Sequence, residues 1–262
     1  MLPLKDDVPS RTFPLVTVAL IALNAAAFLY QASLAMGPEP GAARAAQAFV
    51  AEFGVTPCRL TGRCPLVDEF PSPAVTVFTA MFLHGGLFHI LFNMLALWMF
   101  GTELERVWGT RYFLKFYFVT GVGAAVLTVA FSLLPFDLSS QVYGAATIGA
   151  SGAIYGLLLA YALYFPDRPI LLFFLFAVPA KVAVLIFGAI AFYSSVSGTG
   201  GGVANATHLS GLLVAYLFIN SARINPLSEI KYRYLKWKIN RLRKKFDVYS
   251  GGRADDWDRR VH

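Results

Sequence analysis

Charge is scarce in this sequence. Asp, Glu, Lys and Arg make up only 14% of its 262 residues, while 57% are hydrophobic, and that balance excludes an ordinary water-soluble domain. Long polar connections are also few: apart from residues 35–85 the stretches between apolar blocks are short, which leaves no room for a second domain. No motif addresses the chain to a soluble compartment. The first apolar block makes a poor signal peptide, because it runs for about 21 residues, beyond the ~7–15 of a signal core, and Asp6 and Asp7 precede it. It is read as a retained helix.

What the chain does have is apolar blocks, and six of them reach the ~17–20 residues of helix that cross a hydrocarbon core. They run from Pro14 to Leu34, Gly86 to Trp108, Phe113 to Leu134, Ala145 to Phe165, Ala180 to Val196 and Val203 to Asn220. The expected fold is therefore all-α and polytopic, with residues 1–222 forming a six-helix membrane domain and 223–262 a basic tail. Positive charge stays on the cytoplasmic side. Lys5, Arg11, Arg106, Arg111, Lys115, Arg168 and the tail all fall on one side if both termini are cytoplasmic, against Arg44, Arg59 and Arg63 in the long loop. The expected location is a bacterial inner (plasma) membrane.

Lys181 would lie near mid-membrane if the run from Ile170 to Tyr193 were one span, at a cost of several kcal/mol. Pro179 suits the first turn of a helix, so the fifth span is expected to start at Ala180, with Lys181 at the cytoplasmic interface and "ILLFFLFAV" a short apolar element near that surface. Cys58 and Cys64, in "CRLTGRC", fall in the long loop, where a disulfide and two unpaired thiols are equally open readings. The glycine-rich stretch Ser194 to Gly202, "SSVSGTGGG", is expected to be a mobile cover over a water-accessible site.

From Arg223 to Lys245 nine basic residues face the single acid Glu229, and Tyr232, Leu235, Ile239, Leu242 and Phe246 form one apolar stripe at helical spacing. That pattern suits an amphipathic helix on anionic lipid, and the membrane context argues against nucleic acid as the partner.

Intramembrane polar residues must each face a partner, a cavity or water. His89 and Asn93 share one face at the start of the second block, Ser151 lies about six residues into the fourth, and His208 about five into the sixth. At ~1.5 Å per residue all four sit roughly 5–12 Å below one membrane surface. Gly152 and Gly156 on the fourth span, with Gly211 and Ala215 on the sixth, form small-xxx-small faces that let the two backbones approach. A serine hydroxyl needs a base, and imidazole is the side chain with a suitable pKa. His208 is therefore read as base to Ser151, in a dyad, since no carboxylate is placed as a third member. Tyr155, one turn after Ser151, is placed to stack on that imidazole, and His89 and Asn93 carry donors for an oxyanion.

The segments "HGGLFHILFNMLALWMFG", "GASG…Y" and "HLSGLLVAY", in that order, resemble the rhomboid family of intramembrane serine proteases over roughly residues 76–221. The resemblance implies Ser151 as nucleophile, His208 as base, an oxyanion hole of His89 and Asn93 with Gly149 beside them, Tyr155 packed on His208, and a structural role for His84. It also matches Gly101, Glu105 and Gly109 to a glycine–glutamate–glycine pattern at the cytoplasmic end of the second span. Many members carry a Trp-Arg pair where this chain has Val75-Thr76, and the first loop is longer than usual around the two cysteines.

The expectation is thus a serine endopeptidase that cleaves transmembrane segments of membrane-protein substrates near the non-cytoplasmic face, with no cofactor and no metal. Oligomeric state is not legible. The alternative is a non-catalytic protein of the same scaffold that holds client helices. A redox protein using His84, His89 and His208 as ligands is disfavoured, because His84 and His89, five apart on one helix, would diverge by ~140°.

Overall fold

The computed structural model describes residues 13–38, 41–64, 72–135, 142–172, 175–197 and 202–221 and, of the tail, 234, 236–239 and 241. The chain forms two units, Met1–Ile219 and Asn220–His262.

In chain order the first unit contains α1 (Leu15–Ala35), α2 (Ala42–Phe53), the short α3 (Pro57–Leu60) and α4 (Thr76–Thr79), flanked by single 3₁₀ turns. Then come α5 (Leu87–Ala96), a π-helical turn (Leu97–Gly101), α6 (Thr102–Trp108), α7 (Thr110–Ser132) and α8 (Ser151–Tyr164). Strands β1 (Pro169–Leu172) and β2 (Phe176–Pro179) precede α9 (Ala180–Ser197) and α10 (Gly202–Ser221). Among the described residues three helical runs are long and apolar enough to cross a membrane: α1, the continuous run Leu87–Trp108, and α7.

The core lies where α5–α6, α7 and α8 meet. Leu97, Leu104, Phe113, Phe116, Tyr117 and Leu157 are fully buried there, whereas Leu91, Phe92, Leu185, Phe192 and Val196 point outward and suit hydrocarbon. Lipid tails are as apolar as leucine, so close packing and hydrogen bonds hold such a bundle together. Glu105 shows the second kind of contact. Its buried carboxylate accepts from the amides of Val16 (2.9 Å) and Thr17 (2.8 Å) and from the Thr17 hydroxyl (2.8 Å), which satisfies the orphan donors at the start of α1. Gly109, at φ 77°, makes the turn from α6 into α7 in a conformation that favours glycine.

Two expected boundaries are corrected. The fourth helix begins at Ser151, not Ala145. Residues 145–150 are drawn into other bonds: Thr147 exchanges both backbone hydrogen bonds with Val55, at 2.7 and 3.0 Å, and Gly149, at φ 118°, donates its N–H to Ala80 O at 2.8 Å. Ser151 is therefore the first residue of its helix, and the depth reckoned for it from six preceding helical residues does not apply. In the stretch expected to cover the site, Ser194–Ser197 is the last turn of α9, and residues 198–201 lie outside the described residues. So does most of the tail stripe, of which Ile239 alone is described.

The apolar element before α9 is a β-hairpin, with Pro169 opposite Pro179 and Leu172 opposite Phe176. Its base is closed by Ala180 N–H to Arg168 O (2.9 Å) and Lys181 N–H to Pro166 O (3.0 Å). Lys181 pairs with Asp167 at 2.6 Å, both side chains being exposed. A cysteine at 181, in a Cys58/Cys64-free background, is expected to react with a membrane-impermeant thiol reagent from one side only. Inertness from both sides would place the position inside the bilayer.

Candidate active site

Four elements meet around the start of α8. Gly211 of α10 packs on the Gly152 backbone so closely that an added Cβ would fall on the Gly152 carbonyl oxygen. One turn on, a Cβ at Gly156 would lie 3.3 Å from Ala215 Cβ. With glycine against glycine at the tightest contact, α8 and α10 bring the His208 Nε2 to 2.9 Å from the Ser151 Oγ, within the reach a general base needs. The Tyr155 ring stacks on the imidazole, centroids 4.2 Å apart and planes 7° from parallel. Among the described residues the buried His208 Nδ1 has no hydrogen-bond partner, so no carboxylate orients the ring.

On the other side of Ser151 stands Gly149. A Cβ there would come within 2.9 Å of the His89 ring and 3.7 Å of Asn93 Nδ2, so only a glycine leaves both side chains in place. The Gly85 amide, which can only donate, bonds to His89 Nδ1 at 3.2 Å. That nitrogen must therefore carry the lone pair, and the neutral ring holds its proton on Nε2, the atom facing Gly149. Asn93 Nδ2 is buried and has no partner among the described residues. Ser151, as the first residue of α8, adds a backbone N–H with no acceptor inside its helix. Three donors thus converge beside one nucleophile candidate.

His84 is fully buried in the turn ahead of α5, and its ring meets that of His89 edge to face at 5.1 Å. This corrects the expectation that the two side chains diverge by helical geometry, since His84 precedes the helix. Burial, with His89 beside it, holds the His84 imidazole down at about 4, so it is neutral near pH 7. Among the described residues no three His, Cys, Asp or Glu side chains are grouped to hold a metal ion.

Sequence reasoning missed Gln31. Its amide donates to His84 O at 2.7 Å and accepts from His84 N–H at 3.3 Å, so α1 holds the turn that carries His84 and leads into α5. A glutamine inside an apolar block was the available signal. It missed Thr128 as well, whose hydroxyl donates to that of Thr207 at 3.1 Å and ties α7 to α10 one residue before His208. Cys58 and Cys64 are joined as a disulfide.

The family model for the Rhomboid domain matches residues 72–222, more than half of the chain, which therefore belongs to the rhomboid family and is a multi-pass integral membrane protein. Among similar proteins, Rhomboid protein 1, mitochondrial, of Saccharomyces cerevisiae is 31% identical over 160 residues, 58% of this chain and 43% of that protein. Rhomboid protease GluP of Bacillus subtilis is 33% identical over 135 residues, 52% of this chain and 23% of its own. Rhomboid protease AarA of Providencia stuartii is 28% identical over 218 residues, 77% and 70% of the two chains. The matched region spans less than half the length of the first two relatives.

Proposed function

We propose that this protein is an intramembrane serine endopeptidase acting on transmembrane segments of other membrane proteins. The observation that carries the reading is the 2.9 Å contact between Ser151 Oγ and His208 Nε2. His208 takes the hydroxyl proton as Ser151 attacks the scissile carbonyl, then returns it to the leaving amine. A water deprotonated by the same imidazole releases the acyl group. The Tyr155 stack holds the ring plane through both transfers. The Ser151 amide, His89 Nε2–H and Asn93 Nδ2 donate to the oxygen as it gains charge, and Gly149 leaves room for it.

In this reading α8, α9 and α10 complete a six-span bundle within residues 1–222, both termini are cytoplasmic, and 223–262 is a tail on anionic lipid. The site then opens toward the non-cytoplasmic face, in a bacterial inner membrane. The Rhomboid domain match and two relatives named as rhomboid proteases support the protease activity in this reading. A protein that only held client helices would gain nothing from an imidazole paired to a serine beside unpartnered donors. The test is covalent: a fluorophosphonate is expected to label the wild type and not Ser151→Ala. Undiminished labelling of the variant would remove Ser151 from the role.

A further inference from the structure

The segment 145–150, which carries Gly149 into Ser151, has no helical ladder of its own. Among the described residues, two of its three long-range backbone contacts are the pair exchanged between Thr147 and Val55, and the third is Gly149 N–H to Ala80 O. All three lead into residues 35–85, the loop between α1 and α5. One side-chain tie lies just ahead of the segment, where the Thr61 hydroxyl and the Tyr143 phenol are 2.7 Å apart. Within the loop, Thr79 Oγ1 donates to Phe53 O at 2.7 Å.

The loop is itself fastened. Arg59 Nη1 donates to Ala51 O (2.6 Å) and Glu52 O (3.0 Å) at the end of α2. The amides of Arg63 and Cys64 both converge on Cys58 O, at 3.0 and 3.2 Å, and the disulfide closes the same turn around a buried Cys58. A four-residue helix such as α3 has no stability in isolation, so the covalent closure, together with these hydrogen bonds, fastens the turn that carries Thr61.

We propose that the disulfide-closed loop is a positioning device for the oxyanion side of the site, with Thr61, Tyr143 and Val55 as positioning residues acting through Thr147 on Gly149 and Ser151. The proposal rests on the protease reading above. It assigns to Cys58–Cys64 a role in the rate of the chemical step, beyond holding the loop together.

The experiment uses the purified full chain in detergent and a fluorophosphonate as probe, with the inactivation rate constant and the half-saturating concentration measured separately on protein of known folded fraction. Thr61→Val, which removes the hydroxyl at nearly constant volume, and the double variant Cys58→Ala/Cys64→Ala are each expected to slow inactivation about tenfold, a fraction of the ~10²-fold that follows a 1 Å misplacement of reacting groups. Half-saturation should stay within about twofold of wild type, and Thr61→Ser, which keeps the hydroxyl, should inactivate at the wild-type rate. Unchanged inactivation per folded molecule, or a change in half-saturation alone, overturns the proposal. Should the double variant fail to fold, Thr61→Val against Thr61→Ser decides. The two readings fail separately: a wild type unlabelled at Ser151 defeats the protease reading, whereas a labelled wild type with indifferent loop variants defeats only this one.

Discussion

Ser151→Ala and His208→Ala are each expected to lower kcat on the order of 10⁴-fold or more, and the double variant to be no worse than either, because nucleophile and base act as one unit. Both proteins should remain folded. Ser151→Ala removes one atom and leaves the Gly152–Gly211 contact untouched. His208→Ala loses a ring stacked on Tyr155 but no partner at Nδ1, which has none among the described residues. The measurement is turnover of a transmembrane peptide by protein whose folded fraction is known from its unfolding curve. A His208→Ala enzyme keeping a tenth of wild-type kcat would mean that another group takes the proton.

Asn93→Ala is expected to lower kcat roughly a hundredfold, corresponding to ~3 kcal/mol for one oxyanion donor, with KM nearly constant. A helix-bridging asparagine would behave otherwise, since losing it costs a membrane bundle only about 1 kcal/mol of stability and leaves kcat of the folded fraction intact. The geometry separates the cases. Among the described residues Asn93 Nδ2 is buried without a partner, a state that costs stability in the resting protein, so removing that donor should not lower the unfolding temperature through a lost bond. Near-normal kcat in Asn93→Ala would take the residue out of the site.

The long helices were legible because they are long apolar runs, and α1, α9 and α10 begin and end within one residue of the blocks read from composition. Residues 145–150 were misread for the same reason. "AATIGA" is as apolar as a helix, and composition does not register that Thr147 finds a strand partner ninety-odd residues away or that Gly149 takes a left-handed φ. The hairpin at 169–179 was seen only as a short apolar element, since periodicity cannot tell a short strand from a short helix. Around Ser151, the chemical types of the four polar residues in apolar blocks pointed to a site without showing what supports it. Gln31, Thr61 and Tyr143 act through backbone carbonyls and through each other, contacts that join distant parts of the chain and leave no local pattern.

The π-helical turn at Leu97–Gly101 sets the phase between the two ends of the Leu87–Trp108 run. His89 and Asn93 serve one end of that run and Glu105 the start of α1 at the other. Wound as an uninterrupted α-helix at ~100° per residue, the same residues would turn Glu105 away from Thr17 by roughly the ~100° of one residue relative to His89. The wider turn absorbs about one surplus residue, so the helix should tolerate a single deletion within 97–101 far better than a single insertion. The span behaves as two surfaces joined by an adjustable coupling, one aligned to Gly149 and the other to its neighbour's end.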